Sequence, residues 1–422
     1  MPEALPALSA LWILPFVLLL GSIATLPLLA SHWWEKKYPF VAIGLGLAVL
    51  LSYIAFLGRG EMVIHTAREY FSFIALIGSL FVISGGIHID VRGESTPLFN
   101  CLFLAVGAVI ANVIGTTGAS MVLIRPWIRM NRHWIRPFHV IIFIFLISNI
   151  GGVMTPVGDP PLFLGFLRGV PFFWTVKHVW REWSFAILWV LAVFYVLDLR
   201  SRPKADPAKE RPRVECKISG KRSALCLAAV VGAAFVSDPP FLREAIMLGA
   251  AVVAWRITPK AYHKENNFVM TPFREVLILF FGIFMTMMPA LEWLETHAAG
   301  LGITGPGCFY WGSGTLSSFL DNAPTYLNFL SVASGLYASA VPEAGRVGLL
   351  LSQHPAVIKA ISLGCVFFGA MTYIGNGPNF LVKSIAEHEK IKMASFFGYI
   401  VRYSAPILLP LFFLIGLFAF KS

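Results

Sequence analysis

Long apolar runs separated by short polar segments follow one another along almost the whole chain of 422 residues. About 20 apolar residues are enough for a helix to cross a lipid bilayer. By this measure ten runs predict full crossings, at residues 8–30, 39–57, 70–89, 137–168, 179–199, 223–237, 241–257, 273–291, 355–387 and 395–420. The pattern therefore predicts an all-α polytopic membrane protein.

Four apolar stretches are interrupted near their middle. Two of the predicted crossings, 137–168 and 355–387, are too long for one span and contain Gly and Pro halfway along. Two further stretches, about 97–124 and 304–338, are also interrupted at their centres. Tight pairs of full helices would explain the latter two, but their length fits a re-entrant helical hairpin better. We therefore expect two hairpins and two broken spans.

A short motif occurs once in each half of the chain. Residues 152–164 (GVMTPVGDPPLFL) align with residues 369–381 (GAMTYIGNGPNFL), and seven of the thirteen positions are identical. We expect a first repeat over 1–199, a linker over 200–222 and a second repeat over 223–422. Five crossings per repeat is an odd number, so the second repeat would be inverted, with both broken helices near the midplane, as in many secondary transporters.

Charge then sets the predicted orientation. Only 13% of the residues are charged, and the net charge is +11, whereas soluble domains carry about 25% charged residues. With the N-terminus outside, the predicted inner loops hold 23 of the 33 Lys and Arg residues, which agrees with the positive-inside rule. The excess of positive charge therefore indicates how the chain is oriented in the membrane rather than a nucleic-acid partner. We expect a multi-pass protein of the plasma (cell inner) membrane, with 200–222 as a flexible basic cytoplasmic connector.

Two acidic residues lie in the interrupted segments, Asp159 in the first broken span and Asp321 at the second hairpin tip. A carboxylate in the membrane is costly unless it pairs with a cation or binds a proton. The broken segments also free backbone carbonyls, which together with Thr, Asn and Asp oxygens suit Na⁺. Capping of a half-helix by either Asp is the alternative. Arg402, inside the last predicted span, is a candidate charge partner, although anion binding or snorkelling would also explain it.

The motifs SNIGGVMTPVGDPPLFLGFLRGVPFFW, SSFLDNAPTY and TYIGNGPNF resemble those of the ion transporter superfamily. That superfamily includes citrate and divalent-anion:sodium symporters, arsenite permeases and NhaD-type sodium:proton antiporters. The resemblance covers nearly the whole chain, which is similar in particular to the bacterial group of citrate-transport and NhaD-type antiporter proteins. It implies a homodimer and two cation sites, each made by a hairpin tip and the following broken span.

Carried over from the resemblance, the two sites comprise ten residues of this chain. The first would use Gly115, Thr116 and Thr117 with Gly158 and Asp159, and the second would use Asp321, Asn322 and Thr325 with Gly375 and Asn376. The symporters carry Ser-Asn-Thr at each tip, whereas this chain reads Gly-Thr-Thr and Asp-Asn-Ala. Asp159 also stands where those symporters have a small hydroxyl residue. A titratable acid at the cation site removes the need for an anionic substrate.

We therefore expect a transporter, not an enzyme, that exchanges Na⁺ (or Li⁺) for H⁺ by alternating access. Its partners would be inorganic cations and the lipid bilayer, with no cofactor besides the transported ions. A sodium- or proton-coupled symporter of citrate, dicarboxylate or another anion is the main alternative. An intramembrane aspartyl protease is a distant one, since the segment reads Pro156-Val157-Gly158-Asp159 and lacks the first Gly of the Gly-x-Gly-Asp motif.

Overall fold

The computed structural model describes residues 9–93, 95–201, 215–236, 238–266 and 268–421, and most of them are helical. In this part of the chain eight helices are long and apolar enough to cross a membrane, or nine if one strongly bent pair counts as a single span. The prediction of an all-α polytopic membrane protein is therefore confirmed.

Long helices make up most of the first half of the chain. Its α-helices and strand are α1 Leu14–Leu29, α2 Ser31–Ala55, α3 Gly60–Gly85, β1 His88–Arg92, α4 Pro97–Asn131, α5 Pro137–Leu146, α6 Pro160–Leu167 and α7 Trp174–Ser201.

The second half contains shorter elements. They are β2 Glu215–Ser219, α8 Lys221–Ala233, α9 Leu242–Ile257, α10 Lys260–Glu265, α11 Thr271–Thr296, α12 Pro306–Ser317, α13 Asn322–Tyr337, α14 Glu343–Gln353, α15 Pro355–Phe368, α16 Gly377–His388, α17 Phe396–Tyr399 and α18 Ala405–Ala419.

Helix α4 folds back on itself and forms the first hairpin. Gly115 interrupts it with φ 77° and ψ 154°, in a region of backbone conformation that favours glycine. The amide of Asn100 near its start donates to Oδ1 of Asn131 at its end, at 2.8 Å. In a straight helix these residues would lie about 46 Å apart. The stretch is therefore a helical hairpin, and it continues to Asn131 rather than ending near residue 124 as predicted.

The second hairpin consists of α12 and α13, with its tip between Ser317 and Asn322. The rings of Phe309 near the start of α12 and Tyr337 at the end of α13 have centroids 6.3 Å apart. The Tyr337 hydroxyl also donates to the carbonyl of Thr304 at 3.2 Å. These contacts show that the two arms run antiparallel, as expected for 304–338.

Both predicted broken spans are present. The first runs as α5, a 3₁₀ turn over Ile150–Met154, an unwound segment and α6. The second runs as α15, a 3₁₀ turn over Gly369–Met371, an unwound segment and α16. Pro160 and Pro378 stand in the first turns of the second half-helices, where a missing backbone N–H costs least.

The two halves pack on each other reciprocally. Helices α1 and α2 of the first half pack on α11 of the second, whereas α8 and α9 of the second half pack on α3 of the first. Likewise α13 contacts α6, and α16 contacts α4. Helices of each half thus contact helices of the other half in matching pairs.

Two further features differ from the prediction, the length of α8 and α9 and the order at the end of the connector. Helices α8 and α9 have 13 and 16 residues, fewer than the roughly 20 that a straight crossing needs. Two basic residues at the start of α8 and the Asp238-Pro239-Pro240 turn before α9 limit their apolar length. The end of the expected flexible connector is ordered, because Glu215–Ser219 pairs as an antiparallel strand with His88–Arg92. Residues 202–214 of that connector lie outside the described residues.

Candidate functional site

Asp159 is buried at the point where the unwound segment of the first broken span meets α6. The residue is only 1% exposed. Its backbone is extended (φ −143°, ψ 142°), and its side chain makes no capping bond to α6. The capping alternative therefore does not describe Asp159, and its carboxylate is left for contacts with other elements.

Three neutral side chains donate hydrogen bonds to this carboxylate. The Thr116 hydroxyl donates to Oδ1 at 2.7 Å, and the Asn376 amide donates to the same oxygen at 3.1 Å. The Asn322 amide donates to Oδ2 at 2.5 Å. All three donors are buried. Each can stabilise a negative charge by hydrogen bonding, but none brings a positive charge to balance it.

Four separate elements supply this cluster. Thr116 follows the first hairpin tip, Asn322 begins the second arm of the second hairpin, and Asp159 and Asn376 end the two unwound segments. Asn376 is also the position that the sequence repeat aligns with Asp159. The Thr116 N–H donates to the carbonyl of Gly158 at 2.8 Å, which fixes the first tip to the first unwound segment. The structure thus brings residues of both predicted sites together around one carboxylate.

Two predicted glycines allow the segments to approach this closely. A Cβ at Gly375 would lie 2.6 Å from the carbonyl oxygen of Gly369 and 2.7 Å from that of Ser317. A Cβ at Gly158 would collide with the carbonyl oxygen of Gly152. Any larger side chain at either position would therefore force the backbone around the cluster apart.

A small cavity of about 20 Å³ lies beside the carboxylate. It is bounded by α3, the first hairpin tip and the first unwound segment, and its lining includes Gly115, Thr116, Thr117 and Asp159. A space of this size holds one water molecule or one ion of similar size. Thr117 is half-buried and faces this cavity.

The remaining residues predicted for the second site have structural contacts. Asp321 is the N-cap of α13, and its Oδ1 accepts the N–H of Ala323 at 3.0 Å. For this acid the structure therefore shows the capping role that was the alternative to ion binding. The buried Thr325 hydroxyl donates to the carbonyl of Asp321 at 2.9 Å. Both contacts shape the tip that presents Asn322.

Arg402 is not the charge partner of Asp159. It lies in a π-helical turn over Ile400–Ser404 and is exposed on the surface of the structure. The carboxylate of Asp159 is buried and bonded by three neutral side chains instead. A position within an apolar run does not reveal which face of the helix a residue occupies, so the place of Arg402 in the last span was misleading.

The sequence did not identify a layer of buried amides beside the cluster. Asn149 donates to Oδ1 of Asn379 at 2.7 Å, which joins the two broken spans directly. The Asn376 amide also donates to the carbonyl of Ser148 at 3.0 Å. Oδ1 of Asn149 and Oδ1 of Asn322 are buried without a hydrogen-bond partner among the described residues. The only signal was their place in or beside the repeated motif and the second hairpin tip.

Among the described residues, the site holds no cluster of metal-binding residue types. In the described part of the chain no three His, Cys, Asp or Glu residues cluster as ligands for a metal ion. The carboxylate of Asp159 and the amide oxygens of Asn149 and Asn322 are oxygen donors of the kind that a hard cation prefers.

Comparison with known proteins identifies the family. Residues 5–420 match a protein family model described as "Putative citrate transport". No curated protein matches the chain. Because the family match covers nearly the whole chain, the protein is a multi-pass membrane transporter and belongs to the putative citrate transport family.

Proposed function

We propose that the protein is a secondary transporter that exchanges Na⁺ (or Li⁺) for H⁺, with Asp159 as the group that binds either ion. The observation that carries this proposal is the fully buried carboxylate at the meeting point of both hairpins and both broken spans. Its place in the plasma membrane and the action of 1–199 and 223–422 as inverted repeats belong to the same proposal.

The need to neutralise the charge of Asp159 would couple the movement of Na⁺ to that of H⁺. A buried carboxylate without a counter-charge costs several kcal/mol even after relaxation of the protein. Thr116, Asn322 and Asn376 reduce this cost by hydrogen bonding but leave the net charge unchanged. A proton or a monovalent cation removes it. Because one carboxylate cannot hold a proton on the oxygen that binds the cation, the two ions compete, and competition at an alternately exposed site gives exchange.

The surroundings of Asp159 support a small cation as the substrate. The adjoining cavity of about 20 Å³ has room for one water-sized particle. The unpaired Oδ1 of Asn322 is a neutral oxygen on the side chain that already contacts Asp159. Carboxylate and amide oxygens together would replace part of the hydration shell of Na⁺ or Li⁺.

Citrate symport is the second candidate, because the family description names citrate. A polycarboxylate needs cationic or N–H donors, and it would be repelled by an ionised Asp159. This candidate therefore requires that sodium or protons neutralise Asp159 before the anion binds. It predicts uptake of labelled citrate that depends on a sodium or proton gradient.

A transport assay separates the two candidates. Purified protein is reconstituted in liposomes with a preset pH gradient and an enclosed pH-sensitive dye. Exchange predicts that added Na⁺ or Li⁺ collapses the gradient, whereas K⁺ and citrate do not. Uptake of labelled citrate without collapse of the gradient by Na⁺ or Li⁺ would establish symport instead.

A further inference from the structure

Two threonines occupy equivalent places in the two unwound segments. Thr155 and Thr372 are aligned by the sequence repeat. Each stands three residues before a glycine and four residues before a member of the buried cluster, Asp159 in the first half and Asn376 in the second. Both hydroxyls donate to backbone carbonyls rather than to the carboxylate of Asp159, so their role must be sought in those contacts.

The Thr155 hydroxyl joins the first unwound segment to the first hairpin. It donates to the carbonyl of Asn112 at 2.5 Å and accepts the N–H of Gly158 at 3.1 Å. Asn112 lies three residues before the tip residue Gly115. The side chain therefore connects the turn that precedes Asp159 to the first arm of the hairpin beside it.

The Thr372 hydroxyl makes the same pair of bonds in the second half. It donates to the carbonyl of Ser318 at 2.5 Å and accepts the N–H of Gly375 at 3.1 Å. Ser318 lies three residues before Asp321 at the second tip. The two halves thus share this pair of bonds, its distances and its place relative to the hairpin tips, and the Thr372 hydroxyl accepts the N–H of Ile374 at 3.2 Å in addition.

We propose that Thr155 and Thr372 are positioning residues that fix the spacing between the unwound segments and the hairpin tips. This inference rests on the proposed cation site at Asp159. Each hydroxyl has its proton committed to one carbonyl and one lone pair committed to a glycine N–H, so it acts on the site through the residues that it holds. Loss of either hydroxyl removes the bond that joins the unwound segment to the hairpin carbonyl, and also one bond to the glycine N–H, which at Gly158 keeps a second bond to the carbonyl of Thr155 at 3.0 Å. The hairpin tip can then shift against the carboxylate.

The test compares valine and serine at both positions. Valine keeps the shape of threonine without its hydroxyl, and serine keeps the hydroxyl. Thr286→Val is the matched control, because Thr286 is also buried and its hydroxyl donates within its own helix, to the carbonyl of Gly282 at 2.8 Å. The KM for Na⁺ and the maximal rate of Na⁺/H⁺ exchange are measured in liposomes, together with thermal stability in detergent.

Thr155→Val and Thr372→Val should raise the KM for Na⁺ on the order of tenfold, and the serine variants should stay within about twofold of the wild-type value. Thr286→Val should lower stability without changing this KM. A purely structural role predicts that all three valine variants behave alike. Unchanged KM in both valine variants, or equal KM values for valine and serine, would overturn the inference.

Failure of the proposed function gives a different result. If the wild type takes up citrate with Na⁺ instead of exchanging ions, the proposed exchange is wrong, and the same variants are compared by the KM for Na⁺ in citrate uptake. A raised KM in the valine variants alone again supports the positioning role. A wild type whose transport does not depend on Na⁺ overturns both proposals.

Discussion

At the scale of the residue, the two unwound segments carry the same motif but differ in charge at one position. Asp159 and Asn376 occupy equivalent positions, and the amide of Asn376 donates to the carboxylate of Asp159 at 3.1 Å. The sequence could identify Asp159, since an acid inside an apolar span is costly and is rarely found there without a function. It could not show that Thr116, Asn322 and Asn376 meet at one carboxylate, because that depends on how four distant segments pack.

Exchanging the side chains of Asp159 and Asn376 tests whether the carboxylate can act from either of the two equivalent positions. We expect Asp159→Asn to abolish exchange while the protein still folds, because the side chain keeps its size and loses its titratable charge. The double variant Asp159→Asn/Asn376→Asp should recover part of the exchange rate, since the carboxylate returns on the other side of the same hydrogen bond. Both rates are measured by dye fluorescence in liposomes.

Asp321→Asn is the comparison for that experiment. An asparagine caps a helix about as well as an aspartate, so we expect this variant to keep its exchange activity. Activity in Asp159→Asn would reduce Asp159 to a structural residue, and loss of activity in Asp321→Asn would make the second acid a carrier as well.

The close approach at Gly375 gives a second prediction at this scale. Gly375→Ala should lower exchange by on the order of tenfold or more, because its Cβ would press on two backbone carbonyls that cannot move independently. Gly377→Ala, two residues further on, meets nothing within 4 Å and should be close to wild type. Equal activities for the two variants would show that the backbone around Gly375 can yield without disturbing the site.

At the scale of the element, the length of the apolar runs and the interruptions in their middle identified both hairpins and both broken spans. The residues at which the elements begin and end were harder to predict from the sequence. The first hairpin continues past its predicted end because Asn131 pairs with Asn100 at the base of the other arm. Similarly, the strand at Glu215–Ser219 forms only because β1 lies beside it. Such contacts link residues that are far apart in sequence, and a local pattern does not encode them.

Helix α6 has Asp159 at one end and an ion pair at the other. Arg168, immediately after α6, donates from Nη2 to Oε2 of Glu69 on α3 at 2.9 Å, and Glu69 is buried. We expect Glu69→Gln to lower the free energy of unfolding by about 2–4 kcal/mol, because it leaves Arg168 without its nearest charged partner in a mostly buried place. Chemical denaturation in detergent micelles measures this change.

Glu387→Gln is the control for the ion pair. Glu387 pairs with Lys383 one helical turn away, and its side chain is 47% exposed. An exposed pair of this kind contributes only about 0.3–0.5 kcal/mol. If Glu69→Gln costs no more than this control, the contact between α6 and α3 is not a significant source of stability.

At the scale of the whole molecule, the reciprocal packing places Asp159 where the two halves of the chain meet. The repeated motif and the order of the elements predicted two similar halves, and the structure adds how they exchange partners. The family resemblance implied two separate cation sites, one in each half. The contacts of Asp159 with Thr116, Asn322 and Asn376 instead favour one shared centre.

If Asp159 binds either a proton or a sodium ion, then sodium binding must release a proton, and this release can be measured. Purified protein in weakly buffered detergent solution is titrated with NaCl at a series of pH values, with choline chloride as the ionic-strength control. We expect Na⁺ to displace the proton carried by Asp159 and the Asp159→Asn variant to release none. Sodium binding detected by calorimetry without proton release from the wild type, at any pH tested, would contradict the proposed competition.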